Sequence, residues 1–358
     1  MFKTFKIIAI YLALLALAHT GLKADTVNYL GETYYDCEKD YSWIQQKTLG
    51  YGPYGYVHRA CSKKDSTNCE FAAKVQRALP GFKTQRNEHD READILTKLS
   101  GKNIAPNIYE NFTCKIKNNQ TGLTREVGVI ILDKFDKTFF DHLNTEFNDL
   151  LIKKFGSKEK ALAYFISSLK ATNPTNAGAS LLPKAKNGLV RANEVLQIGR
   201  IRGLKANKAK FIRMPLSEET NKILSKIDEL LVKLAENKII HRDMKVDNIM
   251  TKEVDGENNP IIIDYGLSYD PEHKDDAIEG NLNGYWDETF QVNAPATHEK
   301  TTVDPLDYCY DRVLLEVELF NKYGIKYRFK SVDNKCRRYI YNTYLNLILN
   351  DLAELLKP

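Results

Sequence analysis

The chain has 358 residues, 43% of them hydrophobic and 28% charged, with a formal net charge of +5 and six cysteines. That length supports one large domain or two modest ones with a real core. The composition is that of an ordinary globular protein and excludes a collagenous, disordered or polytopic membrane chain.

The first stretch stands apart. Lys3 and Lys6 precede an apolar run from Ile7 to Ala18, and small residues at Ala16–Ala18 and Leu22–Ala24 offer cleavage after Ala18 or after Ala24. The run is shorter than the ~20 residues a membrane span needs, so residues 1–24 read as a secretory signal peptide, followed by an extension over 25–40. Removing 1–24 lowers the net charge to +2. No later segment is long and apolar enough to span a bilayer. The cysteines form no C-x-x-C pair. Cys61 and Cys69 flank the polar turn "SKKDSTN"; facing each other across a hairpin, they form a disulfide in an exported protein or stay two thiols in a cytosolic one.

From Tyr41 the pattern alternates as strands do, in "SWIQQKTLG", "YVHRACS", "CEFAAKVQ" and "REVGVIILDKF". The stretch 85–99 interrupts them as a helix, with Ile95, Leu96 and Leu99 on one face. After Lys134 the pattern turns helical; Ser217, Glu218 and Glu219 mark one N-terminus. The expected fold class is α+β and two-lobed: a small antiparallel sheet with one helix over 41–134, then a mostly helical lobe over 135–358. Residues 150–215 form a basic insertion of charge +12. It reads as a solvated surface, or as a docking surface for an acidic protein or an anionic membrane. Its few aromatics disfavour nucleic acid.

Chemistry gathers in five places. "LGYGPYGYV" puts Gly50, Gly52 and Gly55 in a loop that continues as a strand, where backbone N–H groups can approach phosphates. Val57 and Ala72 suit the floor and roof of a purine. Lys74, in the apolar strand "FAAKV", needs an anion or a path to solvent. Glu92 on the 85–99 helix suits that anion, with Glu88 one turn earlier as the alternative. "IIHRDMKVDNIM" places Asp243 and Asn248 after an apolar run, and Asp264 ends a second run, "PIIID". Two carboxylates and an amide make an oxygen-rich site for a hard cation such as Mg²⁺.

Taken in order, the glycine loop, strand lysine, helix glutamate, H-R-D-x-K-x-x-N and D-Y-G resemble the protein kinase family from about residue 41 to at least 320. The H-R-D-x-K form is similar to its serine/threonine branch. The resemblance implies Mg-ATP as phosphate donor, with Mn²⁺ an alternative ion. Gly50, Gly52 and Gly55 would cover the phosphates, and Lys74 paired with Glu92 would hold them. Asp243 would be the catalytic base and Lys245 would sit by the γ-phosphate. Asn248 and Asp264 would ligate the metal. Leu132 would lie behind the adenine, with Asp133 to Phe135 as the hinge. Arg242 implies tuning by an anion on the activation segment, with Ser268, Thr289, Thr297 or Thr301 as acceptors.

The chain also departs from the pattern. Tyr265 stands where the family has Phe, and "APA" at 294–296 lacks the usual glutamate. Asp307 fits the aspartate that opens the second lobe's central helix, and too few residues follow it for the remaining helices. A shortened second lobe resembles effector kinases that bacterial pathogens deliver into host cells, some of which need a host partner. The expected function is an exported protein serine/threonine kinase acting on a protein substrate. It would work where ATP is available, in a host cell or a secretory compartment. The alternatives are a binding module that works through the basic insertion, or an enzyme of this fold that phosphorylates a small molecule or transfers AMP.

Overall fold

The computed structural model describes residues 26–52, 55–77, 83–172, 189–190, 193, 212–270 and 305–344. The signal-like residues 1–24 lie outside them. The fold is α+β. The chain divides into two units, Met1–His89 with Ile108–Lys134, and Asp90–Asn107 with Phe135–Pro358.

Period-two alternation builds the first unit. Its strands are β1 (Thr26–Tyr29), β2 (Glu32–Tyr35), β3 (Tyr41–Ser42), β4 (Thr48–Gly52), β5 (Gly55–Ser62), β6 (Phe71–Arg77), β7 (Ile108–Asn118) and β8 (Thr124–Asp133). They form one antiparallel sheet in the order β1-β2-β7-β8-β6-β5-β3, with β4 paired to β5. Alternate residues of β7 (Phe112, Cys114, Ile116), β8 (Val127, Val129, Ile131) and β6 (Ala73, Val75) point into one core with Trp43 and Ile44. β8 is buried from Val127 to Leu132 without alternation, as a strand covered on both faces must be.

Residues 26–35, inside the expected extension, form a β1–β2 hairpin that pairs through β2 with β7. Leu30 (φ 47°) and Gly31 (φ 80°) make its two-residue turn, the left-handed pair that matches strand twist. Such short, half-exposed strands carry too little apolar pattern to be read in advance. All six cysteines are paired: Cys37–Cys114 ties the segment after β2 to β7, Cys61–Cys69 closes the β5–β6 connection, and Cys309–Cys336 lies in the second unit.

The second unit holds the C-terminal part of α1 (Lys83–Leu99), then α2 (Phe139–Phe155), α3 (Lys158–Thr172), α4 (Glu218–Glu236), α5 (Tyr310–Tyr323) and α6 (Asn334–Tyr344). A second sheet, β9 (Lys137–Thr138), β10 (Ile249–Val254) and β11 (Glu257–Ile262), runs in the order β11-β10-β9. Thr138 and Asp141 close a reciprocal capping box on α2. Ser217 caps α4 through the Thr220 N–H, as its sequence predicts.

Helix α5 is buried nearly all round, which makes it the centre of the unit. Its buried carboxylates therefore need partners. Glu316 accepts two hydrogen bonds from the Arg337 guanidinium, at 2.9 and 2.7 Å, and a third from the Phe329 N–H. The basic 150–215 stretch is not purely a solvated surface. Leu189, Val190, Asn193, Ile212 and Met214 are buried. Asn193 bridges the Ile212 backbone and the Lys322 carbonyl, so this stretch packs on the end of α5. No helix among the described residues is long and apolar enough to cross a membrane.

Two outcomes follow from these pairings. Arg337→Met strands a buried carboxylate and should cost about 3–5 kcal/mol at neutral pH in urea unfolding. Burial already raises the Glu316 pKa. Its folded-state contribution is therefore lost as pH rises and kept below the unfolded carboxylate value, so the deficit should shrink as the solution is acidified. Alkylation of the denatured, unreduced protein should modify no cysteine, and after reduction it should modify all six; labelling before reduction contradicts the pairing.

Candidate active site

The hairpin explains how residues far apart in the sequence become neighbours. Strands β10 and β11 are joined by Asp255 (φ 53°) and Gly256 (φ 78°), a D-G turn of the hairpin type. Ile249 pairs with Ile262, and the Ile263 N–H donates to the Asn248 carbonyl at 2.9 Å. The open end of the hairpin thus brings Asn248 beside the residue preceding Asp264.

Burial alternates along the segment before β10. Met244 and Val246 are buried, while Asp243, Lys245 and Asp247 face outward. The Lys245 ammonium lies 2.7 Å from Asp243 Oδ2. Asn248 Nδ2 donates to the same oxygen at 3.0 Å and to the Asp243 carbonyl at 2.8 Å. Both side-chain donors therefore converge on Oδ2 and leave Oδ1 without a hydrogen bond among the described residues. Turning Nδ2 towards Asp243 also leaves Asn248 Oδ1 without a hydrogen bond among the described residues. Burial pulls the Lys245 ammonium down, but Asp243, Asp264 and Asp247 outweigh it and hold its pKa above the usual lysine value.

The apolar run before this loop is a two-residue bridge rather than a strand: Ile240 and Tyr269 exchange both backbone hydrogen bonds. His241 Nε2 meets the Ile263 carbonyl at 2.8 Å, so that nitrogen carries the proton. Arg242 holds a left-handed backbone at φ 66°, uncommon for a long side chain. The Asp311 carboxylate stabilises it by accepting the N–H groups of His241 at 2.6 Å and Arg242 at 2.9 Å. Burial pushes the Asp311 carboxyl up, against the lowering effect of His241 and those two donors.

Asp311, not Asp307, is thus the aspartate that serves the loop. Asp307 sits in a short 3-10 turn before α5 and accepts from the Tyr339 hydroxyl instead. The Arg242 guanidinium donates to the Leu267 and Ser268 carbonyls. Ser268 is fully buried and donates to the His241 carbonyl, so it is not an accessible phosphate acceptor. Thr289, Thr297, Thr301 and "APA" lie outside the described residues.

Helix α1 binds the segment after Asp264. Buried Glu92 accepts from the Tyr265 N–H at 3.3 Å, Arg91 donates to the Gly266 carbonyl, and Lys98 pairs with Asp270 at 3.0 Å. The side chain of Glu88, the alternative to Glu92, lies outside the described residues. Asp264 itself is exposed and left-handed, at φ 68°.

The remaining candidates belong to the first unit, apart from Phe135, which opens the second. Lys74 lies on β6 opposite Val57 on one side and Ile130 on the other. Ala72 pairs with Leu132, and Asp133 accepts from the Tyr109 hydroxyl at 2.7 Å. The three glycines are not alike. A Cβ on Gly55 would lie 2.1 Å from the Val75 carbonyl oxygen, so strand packing requires glycine there. A Cβ on Gly50 would meet nothing within 4 Å, so packing does not explain that residue. Gly52 ends β4.

Among the described residues no group of three or more His, Cys, Asp or Glu could hold a metal alone. Asn248 Oδ1 and the Asp264 carboxylate are oxygen donors of the type a hard cation takes, and further ligands would have to complete its shell. No protein-family model and no curated protein matches the chain. The function therefore rests on this geometry and on the motifs that carry it.

Tyr265 gives a direct check. Its ring is fully buried against His241, 5.0 Å between centroids, and its hydroxyl has no partner among the described residues. Tyr265→Phe removes that orphan and should leave stability unchanged or raise it by about 1–2 kcal/mol. Tyr265→Ala should lower it by about 3–5 kcal/mol, read by thermal and urea unfolding.

Proposed function

We propose that the protein is a protein serine/threonine kinase that uses Mg-ATP. The observation that carries this reading is the Asp243 carboxylate: Oδ2 is held by Lys245 and Asn248, Oδ1 makes no hydrogen bond among the described residues, and the β10–β11 hairpin brings Asp264 to the same end. Such transfer is mainly positioning and charge neutralisation, and this arrangement supplies both.

In the reaction, the hydroxyl oxygen of a substrate serine or threonine bonds to the γ-phosphorus. The bond from that phosphorus to the β–γ bridging oxygen breaks, and ADP departs. Asp243 accepts the hydroxyl proton at Oδ1, while Asn248 and Lys245 keep the carboxylate aimed. The raised pKa of Lys245 keeps it a cation, suited to the γ-phosphate. Mg²⁺ on Asn248 and Asp264 would neutralise phosphate charge. By the family resemblance, Gly50 and Lys74 of the first unit would serve the phosphates.

The protein is further proposed to be exported. Six cysteines, all in disulfides, suit an oxidising compartment and support the signal-peptide reading of residues 1–24. A secretory compartment supplied with nucleotide satisfies both the disulfides and the need for ATP.

Transfer of phosphate from Mg-ATP to a mixed protein substrate tests the reading. Asp243→Ala and Asp264→Ala should each lower incorporation on the order of 100-fold or more. Equal incorporation by the variants and the wild type, or none by the wild type with and without cell extract, would overturn it. The mass added to the product separates phosphate from AMP.

A further inference from the structure

The loop that carries Asp243 is tied to α5 at two points, and only the first involves Asp311. Seven residues further along the helix, Glu318 Oε2 accepts the Val246 N–H at 2.7 Å. Seven residues are two helical turns, so Asp311 and Glu318 share one face of α5, about 10 Å apart along its axis. They hold the loop at both ends of the segment 242–246, and Asp243 lies between them. Glu318 is fixed in turn by Lys322, 2.7 Å away and one turn on, and the same ammonium reaches Asp247 at 3.4 Å.

We propose that Glu318 is a positioning residue: by satisfying the Val246 N–H it sets the path of the loop and hence the aim of the Asp243 carboxylate. This rests on the kinase reading above. The Val246 side chain is fully buried. Its N–H begins a short 3-10 turn, Val246–Asn248, whose last residue holds Asp243. Without an acceptor that donor must find water or another carbonyl, and the turn must move to reach it. Asn248 would move with the turn, and it sets both Asp243 Oδ2 and its own Oδ1. Lys322 offers the N–H no substitute, because its ammonium has no acceptor.

The role can be separated from general support of α5 by removing the donor instead of the acceptor. Lys245 is extended, at φ −151° and ψ 161°, the conformation required before a proline, and the first position of a turn accommodates the proline ring. Val246→Pro therefore deletes the N–H that Glu318 serves without opposing the local backbone.

Glu318→Ala should lower kcat on the order of 10- to 100-fold with the KM for ATP within about twofold, the signature of a misaimed group. Amide exchange across residues 241–248 should quicken in the same variant. Glu318→Gln, which keeps an oxygen acceptor, should retain most of kcat. The double variant Glu318→Ala/Val246→Pro, which has no donor left to satisfy, should recover most of the loss. Should Glu318→Ala not fold, recovery of folding in the double variant reads the same bond. A folded Glu318→Ala with unchanged kcat and exchange overturns the proposal, as does a double variant no better than the single. If the wild type transfers no phosphate, the kinase reading fails, and amide exchange in these variants still decides whether Glu318 holds the loop.

Discussion

A buried carboxylate that accepts two consecutive peptide N–H groups is the constraint on which the second unit depends. Asp311 sits on a helix enclosed on nearly every side, where a bare negative charge is expensive. Its charge is met by the backbone N–H groups of His241 and Arg242. The bond serves both partners. The loop solvates the carboxylate, and the carboxylate fixes Arg242 in a left-handed conformation that costs on the order of 1–3 kcal/mol for a non-glycine residue. That turn sends the chain outward at Asp243. The reactive group is thus aimed by a helix far along the sequence, through main-chain atoms.

Charge is arranged around this frame by the same economy. Lys245 lies among Asp243, Asp247 and Asp264, whose negative charges hold its ammonium in the charged form. Under the kinase reading proposed above, a bound cation would offset that negative charge. The buried Glu316–Arg337 pair plays no part in that chemistry. It joins α5 to α6 across the core, and Cys309–Cys336 joins the same two regions covalently. The basic 150–215 stretch adds to this, since its described residues pack against the end of α5.

In the first unit, the two ends of the β4–β5 turn answer to different demands. Gly55 is glycine because the Val75 carbonyl leaves no room for a side chain, while Gly50 faces open space. Only the second suits a cradle for a ligand. The β1–β2 hairpin and the Cys37–Cys114 bond widen the sheet beyond what the glycine loop and Lys74 require. The disulfide also ties the segment after β2 covalently to β7.

Local order along the chain made much of this legible without a structure. The glycine spacing, the strand that carries Lys74, the amphipathic face of α1, the Ser217 cap and the D-G turn between Asn248 and Asp264 depend on neighbours a few residues away. Such features follow from helical and strand periodicity and from turn chemistry, and the α+β character follows with them. Asp243, Lys245 and Asn248 lie within six residues of one another, so their meeting is also nearly local. What the sequence could not decide is where distant segments return. Two aspartates, Asp307 and Asp311, lie one helical turn apart, and only the packing of α5 shows which faces His241. The partners of Cys37, Cys114, Cys309 and Cys336, and the service of Glu318 to Val246, are settled by the same long-range packing. Periodicity assigns a residue to a face; the tertiary fold alone determines what that face meets.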